Sequence, residues 1–173
     1  MSSSRPQLIS LLEAISSSRE DLALDDFHDV TVDWAIQSGL GPLLYRAVRR
    51  NAQSPASSNW SLLKAADLTA RIVIGEHFQA VREIADACRS SLPPLTLLKG
   101  ISISEQCYPE PHLRLMRDID LLVAKESLST VTSALQQLGY RQLSNSAMHY
   151  DKHHHLEPFF QQEKQVWVEV HHA

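Results

Sequence analysis

Arg117-Asp118-Ile119-Asp120-Leu121-Leu122-Val123 is the stretch on which the fold turns. Side chains of a β-strand alternate between its two faces. Asp118 and Asp120 therefore point one way, and Ile119 and Leu121 the other. At the usual rise per residue the two aspartates stand about 7 Å apart along the chain. The apolar continuation through Leu121, Leu122 and Val123 marks a strand that runs through a core and brings its acidic end out at a sheet edge or cleft. Two carboxylates on one face repel each other, and cations between them relieve the repulsion. Hard divalent ions such as magnesium take oxygen ligands and suit such a pair. The plain alternative is two solvated aspartates on an exposed face.

Outward from this strand, the texture stays mixed. Upstream, Leu95 to Leu98 is a short apolar run bounded by Pro94 and the pair Lys99-Gly100, which suits a buried strand followed by a loop. Downstream, Lys125 to Leu138 has helical spacing through Leu128, Val131, Ala134, Leu135 and Leu138, and Gly139 closes it as a C-terminal cap. Tyr140 to Leu143 and Leu156 to Gln161 read as strands. Val166, Val168 and Val170 alternate with Trp167, Glu169 and His171, a period of two. The back half thus reads strand, helix, strand, helix, strand, strand, strand. If the last strand lies beside Ile119 to Val123, Glu169 joins the two aspartates on one face. Three carboxylates so placed suit two metals roughly 3.5–4 Å apart, the spacing used for in-line phosphoryl displacement. The alternative for Glu169 is an ordinary surface glutamate.

The front half is different. Leu8, Ile9, Leu11, Leu12 and Ile15 recur at helical spacing. A second helix is expected from Val30 to Gln37, ended by Ser38-Gly39, and a third from Pro42 to Arg50, with Pro42 suited to a first turn. Asn51 to Ser58 is polar, carries Pro55 and reads as a loop. A long helix follows, its face marked by Trp60, Leu63, Leu68, Ile72, Phe78, Val81, Ile84 and Cys88, and Pro93-Pro94 ends it. The expected class is α+β: a small mixed sheet flanked by helices over residues 93–173, preceded by a mainly helical region over residues 1–92.

Composition bounds the function. The 173 residues are 43% hydrophobic, enough for an ordinary buried core. Twenty acidic residues against 16 basic ones disfavour a basic nucleic-acid surface and leave room for a small-molecule or protein substrate. Cys88 and Cys107 lack CxxC spacing and read as buried thiols in a reducing compartment. No apolar run reaches membrane-spanning length and MSSSRPQ has no signal-peptide core, so a cytoplasmic location is the default expectation. Asp151-Lys152-His153-His154-His155 is conspicuous. His153 and His155 share a face of an extended segment, and neutral imidazoles bind zinc, nickel or copper. Partly exposed imidazoles beside a hairpin are the plainer reading.

The ordered set Leu97-Leu98-Lys99-Gly100, Arg114, Arg117 to Val123, Leu138-Gly139-Tyr140 and Val168-Glu169-Val170-His171 resembles an uncharacterised bacterial nucleotidyltransferase family of the polymerase-β superfamily. The resemblance spans about Leu95 to His172. It implies transfer of a nucleoside monophosphate from a nucleoside triphosphate to a hydroxyl acceptor, with release of pyrophosphate. It implies magnesium, or manganese in its place, held by Asp118, Asp120 and Glu169. It assigns nucleotide contacts to Lys99, Gly100, Ser102, Arg114 and His155. Arg117 faces away from the metals on a regular strand, which leaves Arg114 as the better phosphate partner. The chain departs from the superfamily in one loop: Lys99-Gly100, with Ser102 nearby, stands where many members carry Gly-Ser. A lysine there meets phosphate as a point charge. The chain also stops just after the third-carboxylate strand, which implies a short or truncated member. The acceptor is expected to be a small molecule or a protein rather than nucleic acid. A non-catalytic nucleotide-binding or regulatory module of the same fold is the second reading, and a histidine-rich metal sensor is a third.

Overall fold

Helices form where apolar residues recur every three or four positions, and the front half bears this out. In the computed structural model the described residues are 9, 12–13, 27, 29–49, 58–89, 95–143 and 155–173. Helix α1 spans Asp29–Gln37 and α2 spans Gly41–Val48, with Pro42 in its first turn. Gly39 joins them at φ +77°, a backbone conformation that glycine adopts without the steric cost a side chain would bring. Helix α3 runs through 31 residues, Ser58–Cys88. Of the expected first helix, only Ile9, Leu12 and Glu13 are described, helical and exposed. The expected loop at Asn51 to Ser58 lies outside the described residues except for Ser58, which begins α3. Pro93-Pro94 lies outside them too.

The face that α3 buries differs from the one its hydrophobic residues suggest. Leu63, Asp67, Ala70, Ile74, His77, Ala80, Ile84 and Cys88 are buried, at intervals of three and four throughout. Leu68 and Ile72, expected on this face, are 51% and 68% exposed. Two polar residues take part in the true stripe. Asp67 accepts from His112 Nε2 at 2.9 Å and from Arg71 Nε at 2.8 Å. His77 Nδ1 donates to the Val73 carbonyl at 2.7 Å. Partnered polar groups are tolerated in a buried stripe, whereas a hydrophobicity count passes over them.

The chain forms two compact units, Met1–Ile72 with Glu110–Leu115, and Val73–Pro109 with Met116–Ala173. In the first, Phe27, Val32, Ala35, Leu44, Val48 and Leu63 make a small core. An ion-pair network in this unit centres on Glu110, just before the 3₁₀ turn Pro111–Leu113. Arg46 Nη1 donates to Glu110 Oε1 at 2.7 Å and Arg71 Nη2 to Glu110 Oε2 at 3.0 Å.

The second unit holds a five-stranded mixed sheet. Strands β1 (Thr96–Leu98), β2 (Asp118–Val123), β3 (Arg141–Gln142), β4 (Phe159–Gln161) and β5 (Val166–His172) lie in the order β1-β2-β5-β4-β3. β2 and β5 are parallel, and the other pairs are antiparallel. Helix α4 (Lys99–Cys107) follows β1, and α5 (Leu128–Gln137) follows β2 after a 3₁₀ turn at Lys125–Ser127. The α+β class and the strand–helix alternation of the back half are as the sequence implies. Gly139 closes α5 at φ +83°. Tyr140 itself is buried ahead of β3 rather than paired within it. One sheet face presents Leu97, Ile119, Leu121, Val123, Val166, Val168, Val170 and Phe159 to Ala80, Ile84, Val131, Ala134 and Leu135 from the helices. Full burial of each larger aliphatic side chain is worth about 1.5–3 kcal/mol. This packing fixes the height and register of β2 and β5, and so the positions of the side chains on their other face. Lys164, in the β4–β5 turn, donates to Glu83 Oε1 of α3 at 2.6 Å and holds that carboxyl below the usual glutamate range. No helix among the described residues is long and apolar enough to cross a membrane.

Candidate active site

The parallel pairing of β2 with β5 sets Asp118 opposite Trp167, Asp120 opposite Glu169 and Leu122 opposite His171. Ile119, Leu121, Val168 and Val170 are buried on the core face, so alternation puts Asp118, Asp120, Glu169 and His171 together on the other. The antiparallel pairing of β1 adds Leu98 beside Asp120. Ligand atoms of Asp120, Glu169 and His171 all lie within 4.8 Å of one another, a spacing that could hold a metal ion. Their donor set is two carboxylates and one imidazole. Carboxylates suit magnesium and manganese, and an imidazole extends the range toward manganese, iron and zinc.

Asp120 is only 2% exposed, and its Oδ1 is the hub of the cluster. Lys99 Nζ donates to it at 2.6 Å and His171 Nε2 at 2.7 Å. A carboxylate only accepts, so the proton shared with His171 sits on Nε2. Glu169 Oε2 stands 3.7 Å from His171 Nε2 and 4.0 Å from Lys99 Nζ. The hydrogen bond to Asp120 raises the Lys99 ammonium above its ordinary pKa despite some burial, with the charges of Asp120, Glu169 and Asp118 adding to the effect. Asp118 is half-buried at the start of β2. Its side chain makes no hydrogen bond or ion pair among the described residues, and it reaches the cluster through its field at Lys99.

Lys99-Gly100 is not a loop. β1 passes directly into α4, and Lys99 makes the change of direction at φ +48°. This is the left-handed region, which costs a side-chain-bearing residue about 1–2 kcal/mol. Gly100 has a packing role as well. A Cβ there would sit 3.2 Å from Met116 Cβ, so the missing side chain lets the segment leading into β2 pack on α4. Ser102, one turn into α4, accepts from Gln106 Nε2 at 2.8 Å.

The remaining residues named from the sequence fall as follows. His155 bridges to His171 outside the named strands, and its ring centroid lies 5.6 Å from that of His171. Its Nδ1 donates to the Leu156 carbonyl at 3.1 Å. His153 lies outside the described residues. Arg117 is exposed. Arg114 belongs to the first unit, where it follows the 3₁₀ turn half-buried. In the sequence His171 stands out only within the alternating strand and the resemblance. Its contact with Asp120 follows from the β2–β5 register, which no local pattern carries. A groove of about 700 Å³ lies elsewhere in this unit, lined by Gln137, Leu138, Arg141, Phe160 and Gln161 among others, and none of the clustered residues lines it.

Residues 28–173 match a family model described as an uncharacterised nucleotidyltransferase. No curated protein and no solved structure matches the chain. The match covers most of the sequence, including both strands that carry the cluster. The chain therefore belongs to this uncharacterised nucleotidyltransferase family, whose general activity is nucleotidyl transfer.

Proposed function

We propose that the protein is a metal-dependent nucleotidyltransferase that moves a nucleoside monophosphate from a nucleoside triphosphate to a hydroxyl acceptor, with Asp118, Asp120 and Glu169 at its centre. One observation carries the reading. In a chain of this family, acidic side chains from two neighbouring parallel strands share one register and one face, with ligand atoms of Asp120, Glu169 and His171 within 4.8 Å.

Magnesium or manganese bound there would supply Lewis-acid activation of the acceptor and neutralise charge on the leaving pyrophosphate. The protein's own groups do the rest. Asp120 and Glu169 supply oxygen ligands, with Asp118 on the same face available as a third. The acceptor oxygen attacks the α-phosphorus, the bond to pyrophosphate breaks, and the acceptor's proton passes to a carboxylate. Asp118 suits that role because it carries no competing hydrogen bond among the described residues. Lys99 offers a flexible positive charge to the phosphates. Ser102 and His155 offer a hydroxyl and an imidazole near the start of α4 and beside His171. Gly100, without a side chain at the start of α4, leaves the backbone open to close approach by phosphate.

The test is calorimetric. Triphosphate binding is measured with and without magnesium for wild type and for Asp118→Asn combined with Asp120→Asn. Metal-dependent binding by wild type, lost in the double variant, is expected. Equal affinity in all four cases removes the proposal. Pyrophosphate release with candidate acceptors then separates catalysis from nucleotide binding without turnover.

A further inference from the structure

We propose that Lys99 is a resident cation of the acidic pocket, which must leave Asp120 before a divalent metal can enter. This rests on reading Asp120 and Glu169 as the carboxylate ligands of a metal site.

The ammonium lies 2.6 Å from Asp120 Oδ1 and 4.0 Å from Glu169 Oε2, the two carboxylates that would hold a metal. Without it, carboxylates from two strands would face each other with little counter-charge.

Lys99 Nζ and His171 Nε2 both donate to the same oxygen, Asp120 Oδ1. A carboxylate oxygen has two lone pairs, so neither is left for a metal at that atom. A metal that uses Oδ1 displaces one donor, and a metal that uses Oδ2 still meets the ammonium's charge beside it. His171 is fixed within β5 by its pairing with Leu122, and its side chain is 18% exposed. The Lys99 side chain is 59% exposed on a flexible four-carbon stem. Lys99 is the donor that can swing into solvent.

Lys99 takes φ +48° where glycine would sit more easily. That conformation is what carries the side chain from the end of β1 toward the start of β2. A lysine held there against its own preference is placed for its charge.

A consequence is coupling. The charge freed from Asp120 becomes available to an anionic phosphate, so metal and triphosphate should bind more tightly together than either alone.

The experiment measures manganese affinity, without nucleotide, for wild type, Lys99→Met and Lys99→Gly. Lys99→Met removes the charge and keeps most of the side-chain bulk. Lys99→Gly also relieves the positive φ and guards against a variant that fails to fold. Both variants should bind manganese about tenfold more tightly than wild type, the equivalent of one charge-assisted hydrogen bond that no longer has to break. A second readout uses the intact side chain. Lys99 is one of five lysines. After reductive ¹³C-methylation its signal, identified by its loss in Lys99→Met, should shift on magnesium addition to wild type. Wild type and variants binding manganese equally, with a stationary Lys99 signal, would overturn the resident-cation role and leave the metal site standing. No manganese binding by any of the three would overturn the metal site and this inference together.

Discussion

Replacing Asp120 by Asn and Glu169 by Gln, one at a time, should have unequal costs for the fold and similar costs for metal binding. Asp120 is 2% exposed and accepts two bonds, at 2.6 and 2.7 Å. Hydrogen bonds to a charged group contribute about 1.5–3 kcal/mol each. Asn keeps the accepting oxygen but not the charge, and repulsion from Asp118 and Glu169 falls. The net loss expected is about 2 kcal/mol. Glu169 has no hydrogen bond to Lys99 or His171; its nearest approaches are 4.0 and 3.7 Å. Two unit charges 4 Å apart attract by about 1 kcal/mol in water and about 4 kcal/mol at an effective dielectric of 20. The 59% exposure of the Lys99 side chain places the pair toward the watery limit, and relief of repulsion with Asp120 offsets most of it. Glu169→Gln should therefore change stability by under about 0.5 kcal/mol. For a chain of this size, 1 kcal/mol moves the melting temperature by about 2–4 °C. Melting without metal should drop by about 4–8 °C in Asp120→Asn and scarcely move in Glu169→Gln. Added manganese should raise the melting temperature of wild type and of neither variant. A Glu169→Gln variant that is less stable than Asp120→Asn, or that keeps the full manganese response, would refute the reasoning.

Other expectations follow from burial and backbone geometry. Burial, with a smaller contribution from the Glu83 charge, pushes the Tyr140 phenol up to about 12. The folded protein favours the neutral phenol while the unfolded chain ionises near 10. Stability should therefore fall as pH rises from about 10 to about 12, and denaturant titrations should show a shallower fall in Tyr140→Phe; identical slopes would count against the assignment. In the first unit, Asp67→Ala leaves buried His112 without its carboxylate and should cost about 3 kcal/mol in urea unfolding. Glu110→Ala breaks half-exposed pairs with Arg46 and Arg71 and should cost about 1 kcal/mol; a reversed order would contradict this. Gly75 lies within α3 with open space where a Cβ would go, so Gly75→Ala should stabilise by about 0.5–1 kcal/mol. Gly139→Ala, at φ +83°, should destabilise by about 1 kcal/mol, and thermal melts of the two should move in opposite directions.

Short-range pattern was enough to identify the elements that carry the site. Period-two alternation placed Asp118 with Asp120 and set Glu169 between valines, because a strand's side-chain geometry is local. Helical spacing and Gly139 gave α5 for the same reason. The positive φ of Lys99 had no such trace. A lysine after an apolar run gives no sign of a left-handed turn, so the start of α4 read as a loop. The buried stripe of α3 escapes a count of hydrophobic residues because Asp67 within it is made tolerable by His112, far away in sequence.

By itself the sequence determined the α+β class, the two acidic strands and the side on which each carboxylate stands, since these depend on neighbours within a few residues. Only the tertiary structure decided that β5 runs parallel beside β2 in a register that puts Glu169 level with Asp120, with His171 and Lys99 closing on one buried oxygen. Strand register and side-chain convergence are set by the packing of distant segments around a shared core, and no local spacing encodes them.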